Sequence, residues 1–187
     1  MRVIAGSARG LRLVAPRDSA TRPVADRVKE TCFAILADRV VDASVLDLYA
    51  GSGALGIEAL SRGAAHCVFV ERGREALASI RQNLGQTGFT SHAELVAVDV
   101  ARFLASATDQ RFGLVFLDPP YSERAILAPL ERLVHYLTVG ATVVVKHFWR
   151  TEVPEPAGLS RWRERRFGET ALTFLERAVT ADGEDKQ

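Results

Sequence analysis

Cysteine is scarce in this 187-residue chain, where Cys32 and Cys67 are the two. Both sit among apolar neighbours, in TCFAIL and HCVFVE. They read as free buried thiols of a reducing compartment, not as a disulfide framework. Histidine is sparse too. His66, His92, His135 and His147 fall into no H-x-x-H pattern and no C-x-x-C accompanies them, so no metal site is expected. The opening MRVIAGSARG lacks the long apolar core of a signal peptide. No apolar run approaches the roughly 18 residues that span a bilayer, and the expected location is the cytoplasm. Charge of one sign is also missing: the formal net charge is +1, so global charge neither supports nor excludes a nucleic-acid partner. Internal repeats and low-complexity blocks are absent.

What is present is apolar sequence, 48% of the chain, enough for the core of one ordinary domain with a small appendage. Residues 1–40 form a first part. RVIAG and LRLVA flank SARG as a small β-hairpin, RDSATRP is a loop, and DRVKETCFAILADRV is a helix. Val28, Cys32, Ile35 and Leu36 give that helix its apolar stripe. Residues 41–178 then alternate strand and helix. The strands are VLDLY, HCVFVE, AELVAVD, FGLVFLD and ATVVVKHF; the helices include GSGALGIEALSRG, GREALASIRQNLGQTG, VARFLASA and ERAILAPLERLVHYL, the last despite Pro129. SRWRERRFG and TALTFLER close the domain as a hairpin. Such a chain is α/β, with a Rossmann-like, seven-stranded, mainly parallel sheet and an antiparallel edge. Residues 179–187 are polar and expected to be a disordered tail.

The first strand runs into Gly51, Gly53 and Gly56, a G-x-G-x-x-G turn opening a helix. Glycines there allow a tight turn and close approach of backbone N–H groups to a ligand. Glu71, twenty residues after Gly51, ends the second strand where a carboxylate can accept ribose hydroxyls. This much suits a nicotinamide dinucleotide as well as S-adenosylmethionine. Asp47 shifts the balance, because a carboxylate inside the first strand suits an ammonium and a sulfonium and repels a pyrophosphate. Its bland alternative is a carboxylate that merely holds the turn. Asp99, at the end of the third strand, could receive an adenine amine or simply cap the following helix. Tyr49, Ala50, Ser52, Arg72 and Val100 complete the expected cofactor rim.

FLDPPYSE ends the fourth strand with Asp118, Pro119, Pro120 and Tyr121. In an open parallel sheet this rim faces the same crevice as the glycine turn. An exocyclic amine is a poor nucleophile because its lone pair is delocalised. Two acceptors aimed at its hydrogens, the Asp118 carboxylate and the Pro119 carbonyl, help the nitrogen become tetrahedral. The prolines fix that carbonyl, and Tyr121 offers a ring for a base taken out of its stack.

With LDLYAGSGALGIEALSRGA, this motif makes the chain resemble the amino-methyltransferases, specifically the RsmD family of bacterial ribosomal RNA methyltransferases. RVIAGSARGLRL, TRPVADRVKETCF and RRFGETALTFLER extend the resemblance from Arg2 to about Arg177. It implies a class I S-adenosylmethionine-dependent methyltransferase that modifies guanine N2 in 16S rRNA, with the RNA expected within a small-subunit particle; nothing in the sequence demands more than a monomer. Two departures stand out. Val24 and Ala25 replace threonines of the family's R-P-T-T-D-R block, and Lys146 stands where an acid is expected.

Residues 1–30 carry seven basic and three acidic side chains, a local excess of +4. Arg2, Arg9, Arg12, Arg22 and Arg27 are the candidate RNA contacts. A second cluster is Arg161, Arg163, Arg165 and Arg166 around Trp162, with Arg161, Arg163 and Arg165 expected on one strand face. Both clusters have an alternative reading as solvated surface, the second because edge strands commonly carry charge against sheet-to-sheet pairing. Rival functions are the same chemistry on DNA adenine N6 or a protein glutamine, a nicotinamide-dependent oxidoreductase, and a non-catalytic RNA-binding module.

Overall fold

The structure, a computed structural model, describes residues 1–16, 26–106, 109–119 and 124–178. Among these, seven strands form one sheet: β1 (Ser44–Leu48), β2 (His66–Val70), β3 (Ala93–Val96), β4 (Phe112–Leu117), β5 (Leu137–Phe148), β6 (Leu159–Phe167) and β7 (Thr170–Arg177). Their order is β3-β2-β1-β4-β5-β7-β6. Strands β1 to β5 are parallel, and β7 runs antiparallel to both β5 and β6. The expected sheet and its antiparallel edge are present, with β7 inserted between β5 and β6. The connections reverse direction between β1 and β4, which makes that pair the topological switch point.

Period-two alternation sends side chains of each inner strand to two separate cores. Val45, Phe69, Phe116 and Val144 face one, with helices α1 (Asp26–Leu36), α2 (Ala54–Ser61) and α3 (Arg74–Thr87). Leu46, Val68, Val115 and Val143 face the other, with α4 (Val100–Phe103) and α5 (Arg124–Leu133). Burial on both faces explains why the inner strands read as nearly continuous apolar runs. Each such large side chain contributes about 1.5–3 kcal/mol, and Phe33 of α1 meets Phe116 of β4 with ring centroids 5.6 Å apart.

Element boundaries differ from the sequence expectation in several places: β3 ends at Val96, short of Asp99, and α2 starts at Ala54, past the glycine turn. Helix α1 ends at Leu36, a 3-10 turn follows over Ala37–Val40, and Phe33 with Lys29 is buried on the stripe while Ile35 is only partly so. Helix α5 ends at Leu133, and β5 starts at Leu137 instead of Ala141. The added residues Thr138 to Gly140 are exposed, and Thr138 and Gly140 leave Val139 isolated from the apolar run that marks the strand.

The N-terminal segment forms one antiparallel bridge, Arg2 to Arg12, rather than a longer ladder. It is secured by polar side chains of α2 and α3. Glu58 accepts from the backbone N–H of Ile4 (2.8 Å) and Ala5 (3.0 Å), and Ser61 Oγ accepts from Ala8 N–H (3.0 Å). Asn83 accepts from Val14 N–H at 2.8 Å and donates to the Val14 carbonyl at 2.9 Å. Val3, Ala8 and Leu13 join the core beneath α1, α2 and α3. No helix among the described residues is long and apolar enough to cross a membrane.

Candidate active site

The carboxyl ends of β1, β2 and β4 converge at the switch point. After β1 the chain enters a left-handed run: Tyr49 (φ 58°), Gly51 (φ 57°) and Gly53 (φ 75°). Glycine takes this conformation freely, but tyrosine does so at a cost of about 1–3 kcal/mol. Gly53 precedes the first turn of α2 and has no side chain to cap it. The N–H of Gly51 instead donates to Glu71 Oε2 at 2.9 Å. The other oxygen, Oε1, accepts from Arg72 N–H (2.8 Å) and Gly73 N–H (2.7 Å). Glu71 therefore ties the glycine turn to the loop after β2.

Asp47 points from β1 under the same turn. It is 1% exposed, and its Oδ2 accepts from Gly56 N–H at 3.0 Å. Burial pushes its carboxyl well above the usual range, opposed by that hydrogen bond and reinforced by Asp118 and Glu71. Gly56 matters for a second reason: a Cβ there would lie 2.4 Å from Phe69 Cε1 and 2.6 Å from Cys67 Sγ. Asp99 caps α4, its Oδ1 accepting from Ala101 N–H at 2.9 Å, while Oδ2 pairs with Arg72 at 3.1 Å. Val100 is buried in the first turn of α4, Ala50 is buried, and Ser52 presents its carbonyl to Asn83 at 2.9 Å.

Asp118 follows β4 directly. The register pairs Leu117 with Val145, so the next residues, Asp118 and Lys146, fall side by side. Lys146 Nζ lies 2.8 Å from Asp118 Oδ1 and 2.7 Å from Oδ2. The lysine side chain is 9% exposed and the aspartate 26%. Burial raises the Asp118 carboxyl, and the charge and hydrogen bonds of Lys146 pull it down. Pro119 is buried; Pro120 and Tyr121 lie outside the described residues.

The four rim carboxylates thus divide. Asp99 and Asp118 have cationic partners, whereas among the described residues no lysine or arginine pairs with Asp47 or Glu71. The two unpaired acids flank the glycine turn. That environment fits a cation-bearing, hydroxyl-bearing cofactor and disfavours a pyrophosphate. Among the described residues no group of three or more His, Cys, Asp or Glu could hold a metal ion. Cys32 and Cys67 are free and buried, and burial pushes the Cys32 thiol up to about 12. A cleft of about 400 Å³ lined by Leu104, Arg132 and Tyr136 lies away from this rim.

Of the expected RNA contacts, Arg9, Arg12 and Arg27 are exposed, and Arg2 is exposed but within 3.3 Å of Asp26. Arg22 lies outside the described residues. The single-face expectation for Arg161, Arg163 and Arg165 is corrected. A register shift pairs Arg161 with Leu175 but Arg163 with Phe174, leaving Trp162 as the extra residue of a bulge. Arg161 is turned to the opposite face, where it meets Glu155, Glu164 and the Val153 carbonyl. Trp162 packs on Phe174 at 5.5 Å, under Arg39. The sequence reading also missed Trp149. Directly beyond β5, it carries Arg166 at 3.5 Å and Arg150 at 4.8 Å from its ring centroid.

A parallel sheet in this order, with an antiparallel β7 and a glycine turn after β1, defines the class I S-adenosylmethionine-dependent methyltransferase fold. Within that class, the chain belongs to the family described as Conserved hypothetical protein 95, whose model matches residues 1–176. It is 38% identical to "Putative rRNA methyltransferase YlbH" of Bacillus subtilis, over 95% of this chain and 99% of that one. It is 35% identical to Ribosomal RNA small subunit methyltransferase D of Escherichia coli, over 98% and 93% of the two chains. The solved structure "Putative methyltransferase yhhF from Escherichia coli" superposes with a TM-score of 0.86 at 35% identity, covering 96% of this chain and 99% of that one.

Proposed function

We propose that this protein methylates the exocyclic N2 amine of one guanine in 16S rRNA, within a small-subunit particle. The observation that carries this reading is the placement of Asp118 and Pro119 at the carboxyl end of β4, beside the glycine turn of β1. Asp118 N–H reaches the Leu48 carbonyl at 3.4 Å, so the two motifs share one wall. The names of the relatives supply the ribosomal RNA as substrate class. The reading places the protein in the cytoplasm with the assembling subunit, acting as a monomer.

S-adenosylmethionine, when bound, supplies an electrophilic methyl group on a sulfonium. Gly51, Gly53, Tyr49, Ala50 and Ser52 form its floor, and Asp47 meets its cationic end. Glu71 has further acceptor capacity for ribose hydroxyls, since a carboxylate offers about four lone-pair sites and three backbone donors occupy it. Asp99, Arg72 and Val100 border the base. Asp118 and the Pro119 carbonyl accept the hydrogens of the target amine, so its lone pair is freed from the ring. As positive charge grows on nitrogen, the Asp118 carboxylate stabilises it and then takes the released proton. Pro120 and Tyr121 complete the motif, the tyrosine as stacking partner for the flipped base.

Arg9, Arg12 and Arg27, with Arg2 and Arg22, give the RNA phosphates a basic landing surface. The test uses tritiated S-adenosylmethionine with small ribosomal subunits from cells lacking the activity, with naked rRNA in parallel, followed by digestion to nucleosides. Label in N2-methylguanosine that vanishes in Asp118→Ala supports the reading. Label found only in DNA or protein amines would replace it with the corresponding amino-methyltransferase.

A further inference from the structure

Lys146 is the one basic side chain among the described residues that pairs with a carboxylate of the catalytic motif, and its geometry is unusually constrained. One nitrogen sits 2.8 and 2.7 Å from the two oxygens of Asp118, which places it near the bisector of the carboxylate and fixes the plane of that group. Its stem is buried, so the ammonium cannot swing out to solvent while the strands stay paired.

An ammonium has three donors and no acceptor. Lys146 therefore cannot take a hydrogen from an incoming amine, and any effect it has on the reaction passes through Asp118. The charged groups beside Asp118 are Lys146 from β5, in direct contact, and Asp47 from β1, the neighbouring strand. Without the lysine, Asp118 would sit in a half-buried place with no cationic partner among the described residues, where a proton is favoured over a charge. A protonated acid is a poorer acceptor and leaves growing charge on nitrogen unbalanced.

We propose that Lys146 is the positioning residue for Asp118, holding its carboxylate ionised and oriented so that the outer lone pairs face the amine. This rests on the amino-methyltransferase reading above. It also gives the rim a division of labour. Among the described residues, Asp47 and Glu71, on either side of the glycine turn, are left without a cationic partner to meet a cation, and the acceptor side keeps its acid neutralised as an ion pair, so the two do not compete for the same charge.

The test is the pH dependence of single-turnover methyl transfer at saturating cofactor, so that cofactor binding does not enter the profile. It compares the wild type with Lys146→Met and Lys146→Arg. In the methionine variant the rate at neutral pH is expected to fall about 100-fold. Its acidic limb should move up by about one pH unit or more, because Asp118 must now lose its proton without help. The arginine variant, which is always charged, should keep the limb near the wild-type position while losing rate through altered geometry. Should Lys146→Met fail to fold by circular dichroism, Lys146→Gln, which keeps a donor without the charge, is read by the same limb. A neutral variant whose limb coincides with the wild type would overturn the proposal. If the wild type labels DNA or protein but no RNA, the ribosomal reading fails, and the limb is then read on that amine to decide the role of Lys146. A wild type that binds cofactor and labels no amine overturns both.

Discussion

Lys29 of α1 and Glu58 of α2 form an ion pair at 3.0 Å with neither side chain exposed to solvent. Lys29 also donates to the Arg2 carbonyl at 2.5 Å, and Glu58 accepts from Ile4, Ala5 and Arg62. One carboxylate thus joins the N-terminal segment, α1 and α2. Removing it strands a buried ammonium and two backbone donors, so Glu58→Ala should cost about 3–5 kcal/mol in urea unfolding. Trypsin should then cut after Arg9 or Arg12 faster than in the wild type. Lys29→Met should cost well under half as much, because Glu58 retains Arg62 and both N–H groups and the methionine fills the volume. Equal losses for the two variants would contradict the assignment of Glu58 as the hub.

Gly56 separates a packing role from a conformational one. Its φ is not left-handed, yet an added Cβ would meet Phe69 and Cys67 at 2.4 and 2.6 Å. Gly56→Ala should lose about 1–3 kcal/mol by overpacking. It should also weaken cofactor binding, since lifting α2 draws the Gly56 N–H away from Asp47. Calorimetry that finds both unchanged would mean the helix start is freer than its contacts imply.

The sheet and its helices were legible because parallel strands buried on both faces are marked by short apolar runs, and the glycine turn and DPPY by their strand-end positions. Long-range pairings were not. Nothing local marks Lys29 as a buried cation, since its partner Glu58 lies 29 residues on and meets it only once α1 packs on α2. Asn83 reads as an ordinary surface position of α3, yet it holds Val14 and the Ser52 carbonyl of the glycine turn. The available signal was helical spacing: Asn83 falls on the same buried stripe as Leu77, Ile80 and Leu84, where a polar side chain needs partners. Lys146 was visible as a departure from pattern, but its meaning needed the β4–β5 register. The bulge at Trp162 had no local mark, and it reversed the face of Arg161.

Asp47 predicts a proton linkage. Its folded pKa is raised, chiefly by burial, so its contribution to stability is full below its unfolded value near 3.9. That contribution is lost as pH rises through the raised folded value. A cationic cofactor reverses the penalty by favouring the carboxylate. Binding should therefore release protons, and cofactor affinity should rise with pH until Asp47 is ionised in the free protein. Calorimetry in buffers of different ionisation heat measures the release directly. Asp47→Asn should abolish it and weaken affinity by about 10-fold or more. Proton release that persists unchanged in Asp47→Asn would assign the linkage to another group.

Trp149, with Arg150 and Arg166 about its ring, lies three residues past Lys146 on the rim that bears Asp118. Under the RNA reading this cluster contacts backbone phosphate next to the target base. The paired Arg150→Ala and Arg166→Ala variant should raise KM for the ribosomal particle about 10-fold at moderate salt. It should also flatten the dependence of binding on log salt by between one and two phosphate contacts. Cofactor affinity should not change. Arg161→Ala supplies the comparison: its guanidinium is already tied to Glu155, Glu164 and the Val153 carbonyl on the other face. That variant should leave the salt slope where it is. If Arg161→Ala flattened the slope and the Arg150 and Arg166 pair did not, RNA would pass along the outer face of β6, not over the end of β5.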